Sequence, residues 1–154
     1  MTVARAVLPQ ATPTHLAALG ALAVAVDNDA RLSGLPPVLL ELVRIRASQL
    51  NGCGYCLGLH TRAARATGET EQRLRAIATW RDEPHFTAGE RAALALAEAV
   101  TSIKHGVGDE VYGAAAEHFT QPQLAQLLWV ISLINAYNRL AVSTRLDHAS
   151  VPAP

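Results

Sequence analysis

The 154-residue chain has only two cysteines, a single methionine, and aromatic side chains at 5% of its positions. So few thiols exclude a scaffold stapled by several disulfides, and they leave both sulfurs to be accounted for by chemistry. Net charge is lacking too, since 13 Lys+Arg stand against 13 Asp+Glu. A chain so balanced has no basic field for nucleic acid and no cationic face for an anionic membrane, so neither is expected as a partner. Charged residues make up 17% of the chain and hydrophobic ones 50%, which excludes disorder. The apolar stretch from Leu127 to Val142 contains Ser132, Asn135, Asn138 and Arg139. It reads as a buried helix, because a membrane span needs about 20 mostly apolar residues without charge. From Met1 to Pro9 there is one charge and an apolar run too short for a signal peptide, so a cytoplasmic setting is expected. Glycine-rich phosphate loops and internal repeats are also missing.

No segment alternates with period two, and alanine, the best helix former, occurs 29 times. An all-helical chain forming one domain over residues 1–154 is therefore expected. Residues 1–12 read as an extended lead-in, followed by a helix from Thr14 to about Asp27 with Leu16, Leu19, Leu22 and Val26 at helical spacing. Pro36 and Pro37 suit the first turn of a second helix reaching Leu50, with Val38, Leu42, Ile45 and Gln49 along one stripe. The next helix starts near Cys53 and stops by Gly68; a fourth covers Thr70 to Trp80 with Leu74, Ile77 and Ala78 inward. Thr87 with Glu90, and Thr120 with Gln123, have capping-box spacing and should open helices to about Ser102 and about Leu146. Between them, Asp109 can cap a short helix ending near Phe119.

Both cysteines lie in Asn51-Gly52-Cys53-Gly54-Tyr55-Cys56-Leu57-Gly58-Leu59-His60. With Cys56 in a helix, His60 follows one turn later on the same face, and Cys53 falls on nearly the same stripe. A thiol near a helix N-terminus faces unpaired N–H groups that stabilise its thiolate, which favours Cys53 as nucleophile. Proximity to an imidazole that can take the proton favours Cys56 instead. Glu41, beside the apolar stripe of the preceding helix, is the acid available to orient His60; otherwise it is a first-turn glutamate or pairs with Arg44 or Arg46 at the surface. Two thiols at this spacing can close into a disulfide, be reopened by an external reductant, and so cycle. A zinc site needs four ligands, and Cys53, Cys56 and His60 on one and a half turns would strain to meet tetrahedrally. The remaining alternative is two small buried hydrophobes beside a core histidine.

Glu41, the Asn51-Gly52-Cys53-Gly54-Tyr55-Cys56 run, His60 and the alanine-rich stretch to Gly68 together resemble the core motif of the AhpD-like alkyl hydroperoxidases, a family that includes carboxymuconolactone decarboxylases. The likeness is strongest over residues 35–80 and reaches more weakly into Asn135 to Arg139. It implies an AhpD-like helical bundle that assembles into homo-oligomers and reduces hydroperoxides with an external dithiol or protein reductant, without cofactor or metal. It also implies that Cys56 attacks the peroxide, Cys53 resolves it, and Glu41 and His60 relay the proton, partly through water. This chain departs from the best-studied relay by having Tyr55 where a histidine precedes the second cysteine. A phenol with a pKa of about 10 is no base at neutral pH, although its hydroxyl can hydrogen-bond; a pocket-wall or interface role is the alternative. The decarboxylase branch does not use a cysteine pair, so Cys53 and Cys56 argue against that reaction. General thiol–disulfide exchange, and a non-catalytic redox-sensing or ligand-binding oligomer, compete with the peroxidase reading.

Asn135, Asn138 and Arg139 sit in an otherwise apolar helix, where buried polar groups must be paired, and an inter-helix or inter-subunit contact suits them better than the pocket. His15, His85, His105, His118 and His148 read as surface or turn residues, and Trp80 and Trp129 as core or interface.

Overall fold

A computed structural model describes residues 3–146. The helices are α1 (Leu8–Ala11), α2 (Pro13–Leu32), α3 (Pro37–Leu50), α4 (Gly54–Ala66), α5 (Glu71–Ala76), α6 (Ala88–Thr101), α7 (Asp109–Ala116) and α8 (Gln121–Thr144), with 3-10 turns at Ile77–Asp82 and Ile103–His105. The described residues contain no strand, as the absence of alternation implies. His148 lies outside them.

Helix α3 is the centre of the bundle. It packs on α4, α6 and α8, and Leu40, Leu42, Val43 and Ala47 are wholly buried on different sides of it. The expected single stripe is therefore too narrow: Val38 and Gln49 are only half-buried, while Leu39, Leu40 and Val43 are core. One apolar cluster joins α3 to α2, α6, α7 and α8; a second joins it to α4, α5 and Trp80. A small third cluster, Ala47, Cys53, Cys56, Ile134 and Ala141, surrounds the sulfurs.

Both capping boxes form, with Thr87 accepting from the Glu90 N–H and Thr120 from the Gln123 N–H while each N3 side chain returns a bond. Other expectations need correction. Residues 8–11 are helical rather than extended, because Pro9 is tolerated in a first turn and the Val7 carbonyl accepts from the Gln10 and Ala11 N–H groups. Helix α2 continues past Asp27 to Leu32, since its polar last turns face solvent; Gly34, at φ 88, ends it, with the Leu35 N–H bonded to the Ala30 carbonyl. Leu22 on that helix is exposed rather than inward. The fourth helix is shorter than expected and becomes a 3-10 turn with Thr79 outside helical geometry; the rotation turns Ala78 outward and buries Trp80. Gly108, not Asp109, is the N-cap of α7, and Asp109 sits in the first turn, where its charge still suits the helix dipole. The last helix ends at Thr144, two residues before Leu146.

Leu127 is fully buried and Leu32 is 84% exposed. Leu127→Ala should cost about 2–5 kcal/mol in urea unfolding, whereas Leu32→Ala should stay within about 0.5 kcal/mol of the parent.

Candidate active site

The turn between α3 and α4 places the thiols. Gly52 adopts φ 65, the left-handed region where a side chain is unfavourable. The Gly52 N–H bonds to the Gln49 carbonyl and the Cys53 N–H to the Ser48 carbonyl, which satisfies the last acceptors of α3. Cys53 is at the same time the N-cap of α4, its Sγ accepting the Cys56 N–H at 3.4 Å. Cys56 then lies in the first turn of α4 and His60 in the next. Both cysteines are reduced and buried.

Glu41 is 7% exposed, so its carboxylate needs partners inside the fold. It has two: Oε1 accepts from Arg44 Nη1 at 2.6 Å, and Oε2 lies 2.8 Å from His60 Nδ1. Arg44 is held in turn by Asp27 on α2. Burial alone would raise the Glu41 pKa, but the His60 hydrogen bond and the Arg44 charge outweigh it and hold the group below its ordinary value. An ionised carboxylate only accepts, so His60 Nδ1 carries the hydrogen of this bond, and Nε2 is the nitrogen that can exchange a proton. The acid–imidazole pair expected from the sequence is thus assembled, with Arg44 as its second partner.

Cys56 differs from a pre-ionised nucleophile. Burial, and then its hydrogen bond with Cys53, push its thiol up to about 12, while donation from the Asn138 amide works the other way. The first-turn N–H of Cys56 points at the Cys53 sulfur, and the smaller lowering effect of the backbone amide on Cys56 does not offset burial. Cys56 accordingly keeps its proton at rest and requires a base. Among the described residues no direct hydrogen bond joins His60 to either sulfur.

Asn138 is the site residue that sequence reasoning did not assign. Its Oδ1 accepts from Asn51 Nδ2 at 2.9 Å, and its Nδ2 donates to Ser48 Oγ at 3.1 Å as well as toward Cys56. Asn51 also donates to Asn135, whose Nδ2 reaches Thr101 Oγ1, and Arg139 donates to Asn135 Oδ1. The expected inter-helix contact is present for Asn135 and Asn138, tying the α3–α4 turn to α8, whereas Arg139 is exposed and bonds within its own helix. The signal was there: three polar residues on a buried helix, opposite an asparagine next to the thiols.

Tyr55 is half-buried and, with Cys56, lines a cavity of about 380 Å³. The rest of its wall comes from the N-terminal segment and the last turns of α8, including Leu8, Tyr137 and Leu140. Among the described residues no group of three or more His, Cys, Asp or Glu is placed to hold a metal ion. No described helix is long and apolar enough to cross a membrane.

Residues 13–99 match the model of the carboxymuconolactone decarboxylase family. The chain belongs to that family. Over 104 residues it is 40% identical to the uncharacterized protein YdfG of Bacillus subtilis, covering 67% of this chain and 71% of that protein. It is 36% identical over 104 residues to the uncharacterized protein YnjA of Escherichia coli, covering 67% of this chain and 57% of that protein. A crystal structure from Agrobacterium tumefaciens, ATU0492, is similar with a TM-score of 0.85 and 31% identity over 99% of this chain and all of that one. ATU0492 is described as a protein of unknown function with a suggested role as the antioxidant defence protein AhpD. This family member therefore has the AhpD-like all-α fold, with the cysteine pair at the start of α4. Fold, family and a redox-capable cysteine pair support a general thiol-redox function.

Because the folded Glu41 pKa lies below the ordinary 4.5, its stabilisation is complete above that value and is lost as pH falls through the folded pKa. Glu41→Gln should cost about 1–3 kcal/mol at neutral pH. The loss should shrink in acid; unfolding curves at neutral pH and well below 4.5 check both.

Proposed function

We propose that the protein is a thiol-dependent peroxidase that reduces hydrogen or organic hydroperoxides through a Cys53–Cys56 disulfide cycle. The observation that carries the reading is the 2.8 Å contact between Glu41 and His60 Nδ1, which leaves Nε2 able to accept a proton one turn of α4 beyond a thiol that holds one.

In this reading His60 takes the Cys56 proton, directly or across one solvent molecule. The thiolate attacks the distal peroxide oxygen, the O–O bond breaks, and the leaving oxygen takes the proton back from the imidazolium to become an alcohol or water. Cys56 is then a sulfenic acid. The Cys53 sulfur attacks it, the hydroxyl departs as water with the Cys53 proton, and a disulfide forms. Two thiols have supplied two electrons, and an external dithiol or protein reductant returns them by exchange. Glu41 steadies the transient imidazolium, Arg44 keeps Glu41 ionised, and Asn138 donates to the sulfur as its charge appears. Tyr55 is a wall of the substrate cavity and not a base.

No cofactor or metal enters this cycle. The protein is proposed to work as a homo-oligomer in the cytoplasm: Trp129 on α8 is 52% exposed, and a second copy of the chain is the cover proposed for it. Exchange with a disulfide substrate would use the same sulfurs, but the cavity beside Cys56 is sized for a small molecule.

Peroxide treatment of Cys53→Ser should leave a sulfenic acid on Cys56, seen as one added oxygen by mass spectrometry. An unmodified Cys56, under conditions where the parent forms its disulfide, would overturn the assignment of roles. His60→Ala should lose about 10²–10⁴ of the rate at neutral pH. With the thiol at about 12, that variant should then regain about tenfold per pH unit on the alkaline side as thiolate forms unaided. Equal loss at every pH would remove the base role.

A further inference from the structure

We propose that the cavity beside Cys56 selects anionic amphiphiles, so that the organic hydroperoxides it takes are those of a carboxylate-headed apolar chain such as a fatty acid. The inference rests on the peroxidase reading and adds to it the class of substrate.

The cavity encloses about 380 Å³, within the range of small-molecule sites, and Cys56 forms part of its wall. Apolar side chains dominate the lining, with Val7, Leu8 and Pro9 on one side and Leu140, Ala141 and Leu146 on the other. Two cations interrupt this surface, Arg5 and Arg145, both exposed. Neither has an ion-pair partner among the described residues, as is also true of the exposed Arg31 and Arg62, but only Arg5 and Arg145 line the cavity. An apolar chamber with two guanidinium groups that no described carboxylate pairs is complementary to a ligand with an apolar tail and an anionic head.

The backbone at Arg145 supports the assignment. Arg145 closes α8 in the left-handed conformation, at φ 56, and is the one non-glycine residue with positive φ among those described. The Leu146 N–H bonds to the Ala141 carbonyl across it, a helix ending in which glycine is the usual and less strained occupant. An arginine held there against that preference places a cation in the cavity lining that glycine could not supply. A carboxylate at the arginines leaves the tail to run along the apolar wall toward the sulfur, where a hydroperoxide on that tail would meet Cys56.

The test measures binding without turnover, using the thiol-free variant Cys53→Ser/Cys56→Ser and two probes of equal length, decanoate and decanol, by calorimetry below their aggregation limits. Decanoate should bind at one site per chain and about tenfold more tightly than decanol. Charge reversal of the exposed cations, Arg5→Glu/Arg145→Glu, should remove that preference while decanol binding persists. Equal affinity for the two probes, or a preference for decanoate that survives charge reversal, would overturn the selection. Absence of binding by either probe, which includes the case of a second copy of the chain covering the cavity, would overturn the site itself. Peroxide turnover by the parent protein is scored separately. Turnover without decanoate binding rejects the inference alone, and decanoate binding without turnover of any peroxide rejects the peroxidase reading alone.

Discussion

A carboxylate taken out of water is the constraint on which the site depends. Glu41 lies in the helix that is buried on nearly every side, where an unpaired charge would be unstable, and the fold answers by surrounding it rather than neutralising it. Arg44 grips one oxygen, His60 faces the other, and Asp27 steadies the arginine from a neighbouring helix. The resulting chain of charges runs from α2 through α3 to α4. It fixes the orientation and the tautomer of the imidazole at once, which neither the cysteine motif nor the helix that bears His60 could do.

The two sulfurs stand in unequal surroundings despite their short separation. Cys53 accepts the N–H of its partner and closes the start of a helix. Cys56 is left among apolar groups with its proton in place, touched by one fully buried amide from α8. A thiol that keeps its proton is a poor nucleophile until a base engages it. The amide of Asn138 is itself fastened by Ser48 and Asn51, which makes the environment of the sulfur a joint product of α3, α8 and the turn between α3 and α4.

Local signals were legible in the sequence, and so was the motif. The two capping boxes, the helix start near Cys53 and the spacing to His60 all depend on neighbours within a few residues, and all have the expected form. Glu41 could be read because a charge beside an apolar stripe needs an explanation. Elements decided by distant contacts were harder. The outward turn of Ala78 follows from the 3-10 winding that begins at Ile77, and Trp129 is exposed although an indole suits a core. Asn138 was recognisable as paired, but its reach to Cys56 requires knowing which face of α8 meets the thiols. The cavity was invisible for the same reason: residues 5–9 and 140–146, opposite ends of the described chain, are brought around Tyr55 and Cys56 only by packing.

One sulfur serves two helices. Cys53 terminates the bonding of α3 through its N–H and begins that of α4 through its Sγ. A disulfide to Cys56 would require that sulfur to turn toward its partner, and the N–H it accepts in the reduced protein would then need another acceptor at the first turn of α4. Any chemistry at this sulfur would therefore reach the helix through the same atom, and amide exchange near Tyr55 and Cys56 would register it without any need to see the sulfurs themselves.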